Sequence, residues 1–110
     1  MKRRTLLASG IVIVLALVFV TVAQASEQSD LARVRKATAQ FQQPEAAQAA
    51  GYDLVPGLDY CFDNPGVGGM GFHYINTSIL DTTVELLRPE AMVYAPTRKG
   101  LQLGAVEWIV

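Results

Sequence analysis

The first 25 residues limit what this chain can fold into, because they have the composition of an export signal. A basic start (residues 2–4) precedes an almost wholly apolar stretch (residues 6–22), and Ala-Gln-Ala at positions 23–25 supplies the small-x-small pattern that signal peptidase accepts. Cleavage after this pattern leaves a chain of about 85 residues, which is enough for one small core. We therefore predict a signal peptide over residues 1–25 and a single domain over residues 26–110.

The same residues permit two alternatives to an ordinary secretory signal. An apolar stretch of about 17 residues is just long enough to span a bilayer, so the first alternative is an uncleaved N-terminal membrane anchor. Arg3 and Arg4, followed by Thr-Leu-Leu, resemble a twin-arginine signal, which is the second alternative. The cleavage pattern favours export to the periplasm or the extracellular space, with no membrane association of the cleaved chain.

The charge of residues 26–110 excludes one class of partner. This part of the chain is mildly acidic, with a net charge of about −4, and its basic trio of Arg33, Arg35 and Lys36 is typical of a solvated helix face. Nucleic-acid phosphates require clustered Lys and Arg side chains, so we expect no nucleic-acid partner. A protein partner is neither indicated nor excluded.

The order of the elements predicts an α+β fold. Apolar residues recur at helical spacing from Ser29 to Phe41, and Pro44 is suited to begin a second, short helix that ends before Gly51. Strand-like residues at 91–95 and 101–110 flank a five-residue segment that contains Gly, which indicates a β-hairpin. We predict N-terminal helices followed by a small antiparallel sheet that includes this C-terminal hairpin.

The most distinctive stretch is Asp59–Asn76. Its turn signal, Asp-Asn-Pro-Gly, precedes a glycine loop and then a strand that begins at Phe72. The loop contains four glycines: Gly66, Gly68, Gly69 and Gly71. Their spacing matches the dinucleotide-binding pattern, but no strand precedes them and no helix follows, so that function is not favoured. The alternatives are a loop that packs its backbone closely and a loop whose amides approach a ligand.

His73 and Glu107 are the leading candidates for a binding site. His73 is the single histidine and is a possible ligand or general base. Strict alternation over the last strand places Glu107 on a mainly apolar face with Leu101, Leu103, Ala105 and Ile109. A carboxylate on such a face is costly unless it is paired, protonated or bound to metal.

Together with Asp59 or Asp63, these two residues would supply nitrogen and oxygen ligands for a metal ion. The sequence lacks a close-spaced ligand pair such as His-x-His, so it identifies neither the metal nor any other cofactor. A lone strand histidine is also commonly structural. No nucleophile motif is present, and the sequence leaves open whether the protein is an enzyme.

Cys61 is the single cysteine of a chain with an export signal. Such a residue indicates an intermolecular bridge, a free thiol or a missing partner. The chain stops on the apolar residues Trp-Ile-Val within a strand-like segment, and we therefore predict that it continues beyond Val110 in the complete protein.

Three segments resemble a family of exported bacterial proteins with no assigned function. They are Gly51–Asn76, which contains Asn-Pro-Gly-Val-Gly-Gly-Met-Gly-Phe-His-Tyr-Ile-Asn, Pro89–Tyr94 and Gly104–Val110. The resemblance covers nearly all of the chain after the signal. Family members continue past the last strand with another His, further aromatic residues and a Cys. The resemblance therefore implies that the disulfide partner of Cys61 lies beyond this chain.

Two functional hypotheses follow from the sequence. In the first, the exported chain is a binding module whose glycine loop, His73 and Glu107 surround a small ligand or a metal ion. In the second, the glycine motif is structural, and the protein acts through another surface.

Overall fold

The computed structural model describes residues 25–110, and the chain divides after Arg33 into two units. The predicted signal segment, apart from Ala25, lies outside the described residues. Residues 25–38 are helical (α1). In the first unit these residues are mostly exposed, and Arg33 pairs with Asp30 at 3.3 Å. Among residues 25–110, no helix is both long enough and apolar enough to cross a membrane.

A five-stranded sheet dominates the second unit, Val34–Val110. Its strands are β1 (Asp53–Leu54), β2 (Phe62–Asn64), β3 (Gly68–Ile75), β4 (Ala91–Thr97) and β5 (Gly100–Glu107). The order is β1-β3-β4-β5, and β2 also pairs with β3. Each of these pairings is antiparallel. The predicted α+β class with an antiparallel sheet is therefore correct.

The short helix α2 (Pro44–Ala49) leads the chain into this sheet. Pro44 occupies its first turn, where the missing N–H breaks no helical hydrogen bond. At the other end, Gly51 has a φ of +97°, and the N–H groups of Gly51 and Tyr52 donate to the carbonyls of Gln48 and Ala47, each at 3.0 Å. This Schellman ending turns Tyr52 back onto Ala47 and into the core.

The predicted turn before the glycines is present and joins β2 to β3. The Val67 N–H donates to the Asn64 carbonyl at 2.9 Å, and Gly66 has a φ of +80°. Proline at the second position and glycine at the third are the residues that a type II turn requires. The local chemistry of Asn-Pro-Gly-Val is therefore sufficient to start this hairpin.

The predicted glycine loop is wrong beyond this turn, because Gly68, Gly69 and Gly71 belong to β3. Pairing with β2 shifts by one residue here, which leaves Met70 between two paired positions. Such a bulge needs backbone angles that most residues avoid, and Gly68 and Gly71 supply them with φ values of +131° and +85°. The glycines bend a strand instead of forming a loop.

The predicted C-terminal hairpin is present, but its turn is shorter than the sequence indicated. Thr97 pairs with Gly100, so only Arg98 and Lys99 lie between the strands. The Thr97 hydroxyl stabilises the turn by accepting from the Lys99 N–H at 3.1 Å and donating to the Gly100 carbonyl at 2.7 Å. Pro96 can remain in β4 because it lies beyond the residues that pair with β3.

A second bulge, at Gly104, overturns the predicted alternation of β5. The pairing with β4 shifts by one residue there. Leu101 and Leu103 consequently pack against the core, whereas Ala105 and Glu107 lie on the opposite face of the sheet. The prediction that all four share one face is wrong, because the inserted residue exchanges the two faces.

The core lies on one face of the sheet and contains several tyrosines. Its buried members are Ala47, Tyr52, Tyr74, Met92 and Tyr94. The Tyr94 hydroxyl donates to the Phe41 carbonyl at 2.7 Å, and the Tyr52 hydroxyl donates to the Pro89 carbonyl at 2.9 Å. These bonds satisfy polar groups that would otherwise be costly to bury. They also fix residues 41 and 89, which both line the pocket described below, against the core.

Candidate functional site

The structure brings His73 and Glu107 together on the face opposite the core. His73 on β3 pairs with Val93, and Glu107 at the end of β5 pairs with Ala91. Val93 and Ala91 are two residues apart on β4, so their partners share a face. His73 Nε2 lies 3.4 Å from Glu107 Oε1, with side-chain exposures of 13% and 42%. The pair exists although Glu107 does not share its face with Leu101 and Leu103.

The surroundings of the His73 ring restrict its chemistry. The Phe62 ring contacts it edge-on, with 5.0 Å between ring centroids. Within the described part of the chain, His73 Nδ1 is buried and has no hydrogen-bond partner. An unpaired N–H there would be costly, which favours the tautomer whose proton is on Nε2 and faces Glu107. One nitrogen is thus occupied and the other is inaccessible, so this arrangement suits a structural contact better than a ligand site.

The other predicted ligands do not join this pair. Asp59 and Asp63 are both exposed. Across residues 25–110, no group of three or more His, Cys, Asp and Glu side chains is arranged to hold a metal ion. Cys61 is a half-buried free thiol, and its nearest polar contact is the Phe62 carbonyl at 3.8 Å.

The glycines of the motif have packing roles that the structure makes explicit. A Cβ atom added at Gly71 would lie 2.9 Å from both the Tyr94 carbonyl oxygen and Val93 Cγ1. Such distances are shorter than real contacts, so glycine is required for β3 to approach β4. In the part of the chain that the structure describes, no atom lies within 4 Å of a Cβ added at Gly66 or Gly68. Gly66 and Gly68 are therefore required for their backbone conformation and not for close packing.

A pocket of about 420 Å³ lies at the edge of the core, and we call it the Tyr52 pocket. Its described lining is divided almost evenly between apolar and polar surface, and the apolar residues are Ala37, Phe41, Ala50, Ile79, Leu87, Pro89 and Met92. The polar lining residues are Thr38, Gln40, Tyr52, Asn76 and Arg88. The predicted site residues, including His73 and Glu107, are not among these lining residues. The sequence therefore directed attention to a different surface.

Most polar groups of the Tyr52 pocket are already engaged. The Asn76 side-chain oxygen accepts from the Ser78 N–H at 3.2 Å and from its hydroxyl at 2.6 Å. The Thr38 hydroxyl donates to the Val34 carbonyl at 2.9 Å. These internal bonds hold the walls in place and leave Arg88 as the described charged group on the lining.

Arg88 lies close enough to Tyr52 to influence its ionisation. Burial raises the pKa of Tyr52, the positive charge of Arg88 opposes that rise, and the negative charge of Glu90 adds to it. Arg88 Nε also contacts Glu85 Oε2 at 3.4 Å, in a pair whose side chains are both more than half exposed. Arg88 is therefore an exposed charged residue of the pocket lining, so we place it at the rim.

The C-terminal residues fix the segment that carries Arg88. Glu90 is 2% exposed, and its Oε2 accepts the Ile109 N–H at 3.0 Å. The Trp108 indole N–H donates to the Glu85 carbonyl at 2.9 Å. Sequence reasoning missed Glu90 and Arg88, because neither residue belongs to a recognisable binding motif. Trp108 is the single tryptophan and a natural reporter of this segment.

Comparisons of the chain with protein-family models, curated proteins and solved structures give no match. The assignment of function consequently depends on the geometry of the two regions described above. Of these, the His73–Glu107 pair is closed to a ligand at one ring nitrogen, whereas the Tyr52 pocket offers an open volume next to buried aromatic residues.

Proposed function

We propose that this chain is an exported protein that binds a small ligand with both apolar and polar groups in the Tyr52 pocket. The observation that carries the proposal is the pocket itself. Its volume of about 420 Å³ falls within the range of small-molecule sites. The internal hydrogen bonds of Tyr52, Asn76 and Thr38 support a pocket that is formed before the ligand arrives.

The expected affinity follows from the size of ligand that fits. A molecule of about ten non-hydrogen atoms, at roughly 0.5 kcal/mol per atom, would bind with about 5 kcal/mol. This corresponds to a Kd on the order of 0.1 mM. A tighter natural ligand would need a specific polar or charged contact in addition to the apolar lining.

Export remains part of the proposal and is supported by the sequence of residues 1–25. The resemblance to a family of exported bacterial proteins supports the same location, and the mildly acidic charge of residues 26–110 supports the absence of a nucleic-acid partner. Under this proposal the ligand is one that the chain meets outside the cytoplasm.

The alternative gives the glycine motif a structural role and is favoured by the close approach at Gly71. The two proposals are compatible, because the motif bends β3 while the Tyr52 pocket lies beside the core. His73 and Glu107 then stabilise the opposite face, and a metal ion is not required there. The resemblance-based disulfide of Cys61 stays a separate prediction about the complete protein.

Methyl NMR tests the proposal with phenethyl alcohol as the probe. We expect saturable shifts of the Met92 and Ile79 methyl signals and an accompanying change in Trp108 fluorescence. Ala37→Phe places a ring on the lining and should weaken binding at least tenfold, which is about 1.4 kcal/mol. Ala39→Phe is the matched control, because Ala39 is exposed and is not among the lining residues.

Two results would overturn the proposal. The first is the absence of any saturable shift at ligand concentrations well above the expected Kd. The second is equal binding by the Ala37→Phe and Ala39→Phe variants, which would place the ligand elsewhere.

A further inference from the structure

We infer that the Tyr52 pocket selects ligands that carry a carboxylate, and that Arg88 holds this group. The inference rests on the proposed function and adds the chemical class of the ligand. Arg88 is the charged residue among the described residues that line the pocket, and it stands at the rim beside Leu87 and Pro89. A ligand with an apolar body and one terminal carboxylate matches this distribution of apolar and positive surface.

The availability of Arg88 supports this assignment. Its contact with Glu85 is a single 3.4 Å approach through Nε, between two side chains that are 57% and 55% exposed. Water screens such a pair strongly, so replacing Glu85 by a ligand carboxylate requires little energy. The planar guanidinium can then form two parallel hydrogen bonds with the ligand, which the present contact does not show.

The nearby negative charges do not block the rim. Glu90 is buried, and its carboxylate is directed to the Ile109 amide. Glu90 is not among the described lining residues, whereas Arg88 is. The Tyr52 hydroxyl donates to the Pro89 carbonyl, so its oxygen does not compete for the guanidinium as a charged group would. Glu85 is the acidic side chain in direct contact with Arg88, and it defines the control experiment.

The test compares phenylacetate with phenethyl alcohol, which share an apolar body and differ in charge. In the unmodified protein we expect phenylacetate to bind about tenfold more tightly, as one charge-assisted contact at an exposed rim would give. Arg88→Gln should remove this preference, so that the two probes bind with similar affinities. Glu85→Gln should strengthen phenylacetate binding, because it frees Arg88, and Arg88→Lys should retain only part of the preference.

The outcomes separate this inference from the proposed function. If phenethyl alcohol binds and phenylacetate binds no better, the selection of carboxylates is wrong and the apolar pocket stands. If the preference survives in Arg88→Gln, the assigned residue is wrong. If neither probe gives saturable shifts, the proposed function fails as well. Arg88 and Glu85 are exposed, so both substitutions should leave folding intact, which circular dichroism checks.

Discussion

Gly71→Ala should be among the most destabilising single-methyl changes in this chain. Two independent penalties meet at this position. Gly71 has a φ of +85°, which an L residue adopts only with strain, and its added Cβ would lie 2.9 Å from the Tyr94 carbonyl and from Val93 Cγ1. The carbonyl belongs to paired backbone of β4 and cannot move without disturbing the sheet.

Backbone strain and overpacking both contribute to the expected loss of stability in Gly71→Ala. Strained backbone at a positive φ costs about 1–3 kcal/mol, and overpacking of a tight contact costs about 1–3 kcal/mol. Together they predict a loss of roughly 2–5 kcal/mol, a large part of the 5–10 kcal/mol expected for a domain of this size. With a urea dependence of about 1 kcal/mol per M, the unfolding midpoint should fall by roughly 2 M or more.

Two neighbouring glycines provide matched controls. Gly68 has a φ of +131° but no atom of the described chain near its added Cβ, so Gly68→Ala should show the strain term alone. Gly69 has no positive φ, and its nearest neighbour is Cys61 Sγ at an ordinary 3.7 Å. Gly69→Ala should therefore be nearly neutral. The three alanine variants separate backbone strain from the clash.

The assay is urea unfolding followed by Trp108 fluorescence and by circular dichroism. We expect stability to decrease in the order Gly69→Ala, Gly68→Ala, Gly71→Ala. Equal losses for Gly68→Ala and Gly71→Ala would refute the argument that β3 and β4 need a glycine contact. A neutral Gly71→Ala would refute the bulged geometry of β3 as well.

Three further predictions concern the core, the second bulge and the C-terminal contact. Tyr94→Phe removes the hydrogen bond to the Phe41 carbonyl and should cost about 1–3 kcal/mol in urea unfolding at neutral pH. Burial raises the pKa of Tyr94 from its ordinary 10.0 to about 12. The unfolded chain therefore loses this proton first, and the Tyr94 contribution to stability is complete below pH 10 and is lost as the pH rises to 12. The decrease in stability over that interval should be smaller in Tyr94→Phe. Deletion of Gly104 removes the extra residue and leaves Leu103 opposite Tyr94 and Ala105 opposite Val93, so unfolding should stay cooperative, and Gly104→Ala should change stability by about 0.5 kcal/mol or less. Glu90→Ala should release the Ile109 amide and shift Trp108 fluorescence emission to longer wavelength. Glu90→Gln should keep most of the native emission spectrum, because its side-chain oxygen can still accept the hydrogen bond from Ile109.

The sequence was informative where one residue decides the local backbone. Pro44 and Gly51 mark the ends of α2, and Pro65 and Gly66 define the turn before β3. Each of these positions requires a property that only proline or glycine has, a fixed φ or a positive one. Turn chemistry is local, so it can be recognised without knowledge of the rest of the chain.

Strand register could not be predicted from the same sequence. An ideal strand alternates strictly, and the predicted face of Leu101, Leu103, Ala105 and Glu107 assumed that alternation. A bulge depends on pairing with another strand, and at Gly104 this pairing reverses the pattern partway along β5. The predicted association of His73 with Glu107 depended on pairings that the sequence does not specify.

The Tyr52 pocket could not be predicted from the sequence either, for a different reason. Its lining comes from three separated segments, residues 37–41, 50–52 and 76–92. No spacing within any one of them predicts a shared cavity, because their proximity arises from the sheet and from the tyrosine hydroxyls that fix residues 41 and 89. A site assembled from separated segments has no local sequence motif. Its one sequence signal is composition, here the many apolar residues between positions 76 and 92.

The positions of the conspicuous residues have a common physical explanation. A chain of this size has one core, and a bent strand at its centre concentrates glycines and aromatic residues in a short stretch. Bending β3 requires Gly71, and His73 lies on the face opposite the core, where its Nε2 is 3.4 Å from Glu107 Oε1. These residues are consequently explained by the construction of the sheet. Residues such as Arg88 have no such explanation, since the guanidinium is half-exposed, contributes little through Glu85 and still stands on the pocket lining. Because the fold does not require the charge of Arg88, Arg88 is a better candidate for a functional residue than His73 or Glu107.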